Sequence, residues 1–121
     1  MRSSELGELE RQLNEMILAG EILPAFERFY AEDVVMQENM DPPCEGKVAN
    51  RAREQKFVEN VEQMHEVSLL GAAVADDLSY SEWVFDITFK GGFRVRTTQV
   101  AARRWREGQV VHERFYYKPL A

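Results

Sequence analysis

Phe26-Glu27-Arg28-Phe29-Tyr30-Ala31-Glu32-Asp33-Val34-Val35-Met36-Gln37-Glu38 is the stretch that decides how this chain folds. An aromatic helix end runs into an acidic turn and then a short strand. Side chains alternate along a strand, so Val34, Met36 and Glu38 point the same way. If that face is the core face, Glu38 is a carboxylate looking into an apolar interior. Buried carboxylates are costly and usually have a reason.

Upstream, Leu6, Leu9, Leu13, Met16 and Ile17 make one apolar stripe and predict a helix over 4–19. Ser3 or Ser4 can cap its start and Gly20 can end it. A second short helix begins near Leu23, with Pro24 in its first turn. The strand covers 33–38. Downstream, Pro42, Pro43 and Gly46 mark a loop over 39–46. A third helix is predicted over 47–64, with Val48, Ala52, Val58, Val61 and Met64 on one side and Lys47, Arg51 and Arg53 near its start. From His65 to Lys118 four extended runs are separated by Asp76-Asp77, Gly91-Gly92 and Glu107-Gly108, which reads as an antiparallel meander. The sum is one α+β domain over 1–121, a cone-shaped curved antiparallel sheet with three N-terminal helices on its concave face.

Register decides what lines that face. Trp83, Phe85, Ile87 and Phe89 alternate. A two-residue Gly91-Gly92 turn would set Ile87 against Arg96. A three-residue loop, Lys90-Gly91-Gly92, pairs Phe89 with Phe93 and Ile87 with Val95, which keeps apolar residues together. Gln99, Ala101, Arg103 and Trp105 then share the inner face. The same loop type at Arg106-Glu107-Gly108 brings Val111, Glu113, Phe115 and Tyr117 there, with Arg103 and Glu113 diagonal to each other. Glu82, Asp86, Arg94, Arg96, Arg104, His112 and Arg114 fall on the outer face, which is either solvated or paired with another subunit.

Composition narrows the function. The 121 residues fit a single core. The net charge of −6 argues against a nucleic-acid partner, since phosphate binding wants a basic face. No apolar run is long enough to span a membrane, and Met1-Arg2-Ser3-Ser4-Glu5 leads straight into the first amphipathic segment, so neither a membrane partner nor a signal peptide is expected. Cys44 is the only cysteine, which rules out an internal disulfide and fits a cytoplasmic location. The two histidines lack metal-ligand spacing and no glycine-rich phosphate loop is present, so no metal or cofactor is expected.

The candidates for chemistry follow from this layout. Glu38, walled by Met36, Trp83 and Phe115, would have its charged form disfavoured and suit a general base. The alternative is a strand-end glutamate in solvent, or one paired with Arg51 or Arg53. Arg103 and Glu113 would orient polar groups of a ligand, or else form a buried structural ion pair. His65 is placed after the third helix, either at the pocket rim or stabilised by the helix dipole. Phe85 and Gln99 complete the lining.

Three passages carry a family resemblance: Phe29-Tyr30-Ala31-Glu32-Asp33-Val34-Val35-Met36, the Pro-Pro-x-x-Gly loop, and Trp105-Arg106-Glu107-Gly108-Gln109-Val110-Val111 leading into Phe115-Tyr116-Tyr117. The chain resembles the nuclear transport factor 2-like (SnoaL-like) superfamily over nearly its whole length. The resemblance implies a small cone with a pocket for a small, largely apolar ligand. It implies either cofactor-free isomerase, cyclase or dehydratase chemistry or a non-catalytic binding or dimerisation module, and a homodimer through the outer sheet face. By the ketosteroid isomerase pattern, Glu38 falls where the acidic base stands and Tyr117 where a late aromatic stands. The oxyanion-hole tyrosine and acid of that pattern fall on Leu13 and Ala101 instead. Limonene epoxide hydrolase uses an acid–Arg–acid arrangement, and Glu38, Arg103 and Glu113 have that composition.

Overall fold

The computed structural model describes residues 2–119. Its helices are α1 (Ser3–Leu18), α2 (Ile22–Phe29) and α3 (Lys47–Asn60). Its strands are β1 (Tyr30–Glu38), β2 (Cys44–Glu45), β3 (Val61–Ala75), β4 (Leu78–Phe89), β5 (Arg94–Arg106) and β6 (Gln109–Tyr117). They form one sheet in the order β2-β1-β6-β5-β4-β3. The β3–β6 meander is antiparallel as expected, and β1 joins it in parallel beside β6. The chain is therefore an α+β fold with three helices over an open, curved sheet.

The stripe on α1 buries Leu6 and Leu13 against Ala25, Phe26 and Phe29 of α2. Tyr30, Val34 and Met36 of β1 and Trp105 and Val110 of the last hairpin complete that core. The Phe26 and Tyr30 rings stack at 4.9 Å, and Phe29 meets Trp105 edge-on at 6.2 Å. Burying each such side chain contributes about 1.5–3 kcal/mol. Both indole N–H groups find partners: Trp105 donates to Ser79 and Trp83 to Ser81, each at 2.8 Å. Neither Ser3 nor Ser4 caps α1; both lie in its first turn, Arg2 stands at the N-cap, and no side-chain cap bond forms.

The loop at Lys90-Gly91-Gly92 has the expected register. Ile87 opposes Val95, and the Phe89 N–H donates to the Phe93 carbonyl at 2.7 Å. Gly91 and Gly92 both take left-handed φ, at 97° and 89°. The Glu107–Gly108 connection departs from expectation. It is a two-residue turn with Arg106 opposite Gln109 and positive φ at both turn residues. A bulge then restores the phase: Trp105 pairs with Val110 but Arg104 with His112, which leaves Val111 as the extra residue. Val110, not Val111, is buried, and Arg103 lies directly opposite Glu113 rather than diagonal to it.

α3 also differs. It ends at Asn60, and residues 61–64 already pair with β4. Of its expected apolar side, Val48 is 76% exposed and Ala52 is exposed, Val58 and Val61 are half-buried, and Met64, already in β3, lines the cavity. The inward side carries Lys47, Asn50, Glu54 and Phe57 instead. Polar anchors hold this helix. The Asn50 amide donates to the carbonyls of Cys44 and Gly46, and Lys47 donates to the Glu27 carbonyl at the end of α2.

Candidate functional site

Between helices and sheet lies a cavity of about 430 Å³. Its walls are largely apolar: Leu13, Ile17 and Phe26 from the first helices, Phe57 from α3, Met36 from β1, and Trp83, Phe85, Ile87, Phe89 and Phe115 from the sheet. Trp83 and Phe85 stack at 5.7 Å and Phe57 meets Phe89 edge-on at 6.0 Å. The polar residues reaching the lining are Gln37, Glu38, Asn50, Arg53, Glu54, Thr97, Gln99, Arg103, Glu113, Tyr30 and Tyr117.

The floor is an ion network. Arg103, 1% exposed at its side chain, donates through Nε to Glu113 Oε2 at 2.6 Å and through Nη1 to Glu10 at 2.5 Å and Asn14 at 2.9 Å. Tyr30 donates its hydroxyl to the same Glu113 oxygen at 2.6 Å. Burial works against the charge on Arg103, but Glu113, Tyr30 and Glu10 outweigh it and hold the guanidinium above its ordinary value. Burial, and then the charge of Glu113, keeps the Tyr30 hydroxyl protonated. Among the described residues one oxygen each of Glu10 and Glu113 lacks a partner. The carboxyls flanking Arg103 are thus Glu10 and Glu113, not Glu38 and Glu113.

The mouth is different. Glu38 reaches the cavity rim but is 41% exposed and pairs with Arg53 at 3.2 Å. Tyr117 lies beside it. Burial, and then the charge of Glu38, pushes the Tyr117 hydroxyl up to about 12, so it stays a donor at neutral pH. The Tyr117 N–H donates to Asn39 at 2.9 Å.

Between floor and mouth stands Glu54, which sequence reasoning missed. It extends from the inward side of α3 and is partly buried. Among the described residues it makes no ion pair. Desolvation, then the charges of Glu113 and Glu38, pushes its carboxyl up to about 7. The signal that could have found it is its spacing with Lys47, Asn50 and Phe57, three to four residues apart on one helical face.

Met36, Trp83, Phe85, Gln99, Arg103, Glu113, Phe115 and Tyr117 all line the cavity, and so do Leu13 and Ala101. His65 does not. It sits five residues into β3, past the end of α3, and its ring shares a hydrogen bond with Thr88 Oγ1 at 2.7 Å in an exposed position. It is neither a rim residue nor a helix-end histidine. Among the described residues no group of three His, Cys, Asp or Glu side chains could hold a metal ion.

The sequence profile of the SnoaL-like domain matches residues 7–117. The chain belongs to the SnoaL-like domain family. Its fold is that of a solved Mesorhizobium loti protein provisionally named a SnoaL-like polyketide cyclase, at 30% identity and a TM-score of 0.83 over 93% of this chain and 98% of that one. A Xanthomonas campestris protein provisionally named a polyketide cyclase has 20% identity and a TM-score of 0.76, covering 96% and 92%. A Bacillus subtilis protein provisionally named an isomerase has 20% identity and a TM-score of 0.73, covering 99% and 91%. The latter two likenesses concern the fold alone. No curated protein matches the chain. No helix among the described residues is long and apolar enough to cross a membrane.

Proposed function

We propose that this SnoaL-like domain takes a small, largely apolar carbonyl compound into the cone and moves a proton on it without a cofactor. The observation that carries this is the cavity of about 430 Å³ enclosing one unpaired carboxyl, Glu54, poised near neutral pH. A base is most effective when its pKa lies near the working pH. Glu54 takes the proton from the carbon beside the substrate carbonyl. The C–H electrons move into an enolate, whose oxygen accepts a hydrogen bond from Tyr117 or Gln99. Return of the proton to another carbon is an isomerisation; attack of the same carbon on a second carbonyl closes a ring. The provisional name of the Mesorhizobium loti protein points the same way.

Glu38 takes a different part from the one its strand position suggested. Its charge is offset by Arg53 at the rim, and from there it helps raise Glu54 and holds Tyr117 in its donor form. Arg103 and Glu113 fix the polar end of the cavity. A non-catalytic carrier is the rival function. Leu13 and Ala101 favour it, since each stands where the related isomerases place an oxyanion donor, and one such donor is worth on the order of 3–4 kcal/mol.

Deuterium exchange separates the two. A thermal-shift screen of small apolar ketones and diketones identifies binders, because a ligand at a hundred times its Kd adds about 2.7 kcal/mol to the fold. NMR in D₂O then follows the α-protons of each binder. We expect catalysed exchange in the wild type, a loss of about a hundredfold or more in Glu54→Gln with binding retained, and a smaller loss in Glu38→Gln. Binding without exchange would make the domain a carrier. Exchange unchanged in Glu54→Gln would remove Glu54 from the mechanism.

We also propose a homodimer through the outer sheet face, where Tyr80 and Tyr116 are exposed. Light scattering should return twice the 14.1 kDa chain mass at micromolar concentration; a single-chain mass would end that proposal.

A further inference from the structure

We propose that the cavity's ligand carries a positively charged nitrogen on its apolar body, received between Glu113 and Glu54. The proposal rests on the cavity being the ligand site and deepens it by naming what the ligand must bring.

The first observation is a shortage of cations. Glu10 and Glu113 share one guanidinium, Arg103, in a region where all three side chains are at most 2% exposed. Glu54 adds a third carboxyl. The other nearby cations are committed elsewhere: Arg53 to Glu38 at the mouth, Lys47 to the Glu27 carbonyl, Arg51 to Glu27. Three carboxyls thus face one guanidinium.

The second observation is a shortage of donors. Glu113 is part of the cavity wall, and its Oε2 receives both Arg103 and Tyr30. Its Oε1 receives nothing. A buried carboxylate oxygen left without a donor carries its full desolvation cost. Arg103 Nε and Nη1 and the Tyr30 hydroxyl are already directed at Glu113, Glu10 and Asn14.

Ligand chemistries differ sharply against this background. An anion would meet the uncompensated carboxyls and be repelled. At this floor a neutral carbonyl oxygen would bring an acceptor to an acceptor, so a substrate's carbonyl is left to Tyr117 and Gln99 elsewhere in the lining. A protonated amine supplies both the charge and the N–H donors, and charge-assisted bonds of this kind are the strong ones. The rings of Phe26, Trp83, Phe85 and Phe115 around the site suit its apolar body and attract a cation over their faces.

Binding would also move a proton. The titratable and charged groups that share the lining with Glu54 are Tyr30 and Glu38 from β1, Arg53 from its own helix, Arg103 from β5, and Glu113 and Tyr117 from β6. An ammonium placed among them favours the charged form of Glu54. At pH 6, below the value of about 7 for this carboxyl, binding therefore releases a proton.

Titration calorimetry with three ligands of one shape tests this: 2-naphthylmethylamine, 2-naphthylmethanol and 2-naphthoate. At pH 8 the amine should bind roughly tenfold or more tighter than the alcohol, and the naphthoate weakest. Glu54→Gln should narrow the amine's advantage over the alcohol. At pH 6, titrations in two buffers of different ionisation heat should report proton release with the amine only. If the alcohol or the naphthoate binds as tightly as the amine, the charge assignment is overturned while the cavity remains the ligand site. If none of the three binds to folded protein, the cavity itself is overturned as the ligand site. Comparison among ligands needs no change at Glu113, whose replacement would disturb the floor.

Discussion

The floor of the cone and its α3 wall use the same residue type in opposite ways. On the floor, Glu113 is held by a guanidinium and a tyrosine hydroxyl within 2.6 Å, and Glu10 faces the same guanidinium. On the wall, Glu54 has no ion-pair partner among the described residues, and apolar surroundings push it toward the neutral form. The difference teaches where chemistry can reside. A carboxyl committed to a buried network is expensive to move and serves architecture. One left unpaired in an apolar cavity is free to exchange its proton near pH 7.

Replacing Arg103 breaks this contrast most severely. Arg103→Met leaves Glu10 and Glu113 without their cation, which should cost about 3–5 kcal/mol and lower the melting temperature by ten degrees or more. A loss under about 1 kcal/mol in chemical denaturation would mean that the floor network is not structural.

Glu54→Gln should do the reverse. The folded pKa of about 7 exceeds the ordinary 4.5, so between those values the native state binds more protons than the unfolded chain. Wild-type stability therefore falls as pH rises from about 4.5 to about 7 and stays reduced above that range. Glutamine cannot ionise, so the variant should be more stable than wild type by about 2 kcal/mol at pH 8 and nearly equal to it by about pH 4. Melting curves across that range read this directly, and a pH-independent difference would sink the assignment.

Tyr30→Phe sharpens the comparison from the floor's side. It removes one donor from Glu113 without changing shape, and should cost about 1–3 kcal/mol. Glu38→Gln comes last. Its partner Arg53 is 52% exposed, so the change in stability should stay within about 1 kcal/mol. A larger loss would place Glu38 among the structural carboxyls.

These two regions were not equally legible. The inner faces of β4 and β5 could be read because alternation and a Gly-Gly loop admit only one apolar pairing, and Ile87 does oppose Val95. The turn at Glu107–Gly108 misled because a bulge conserves the inward face near the site while shifting the tip. α3 misled for a deeper reason. Its apolar residues suggested a core-facing stripe, but the cone's lid faces a cavity, and a cavity tolerates Asn50 and Glu54 where a packed core would not. Glu10 and Asn14 were hidden similarly, as polar residues inside the α1 stripe whose partner, Arg103, lies some ninety positions away. Helical periodicity reports which residues share a side; it cannot say whether that side meets side chains or space.

The extra residue at Val111 also acts as insulation. It lies between the hairpin tip and the cavity, so the tip runs one phase out of step with Arg103 and Glu113. A ruler laid from the turn would set Arg103 beside His112 and Glu113 beside Ala102, and would scatter the ion network among unrelated neighbours. Any comparison between this chain and a relative must therefore be anchored at the strand ends nearest the cavity, with the gap allowed at the bulge. The same offset lets a lineage rework the tip while the acids and the arginine below it keep their places.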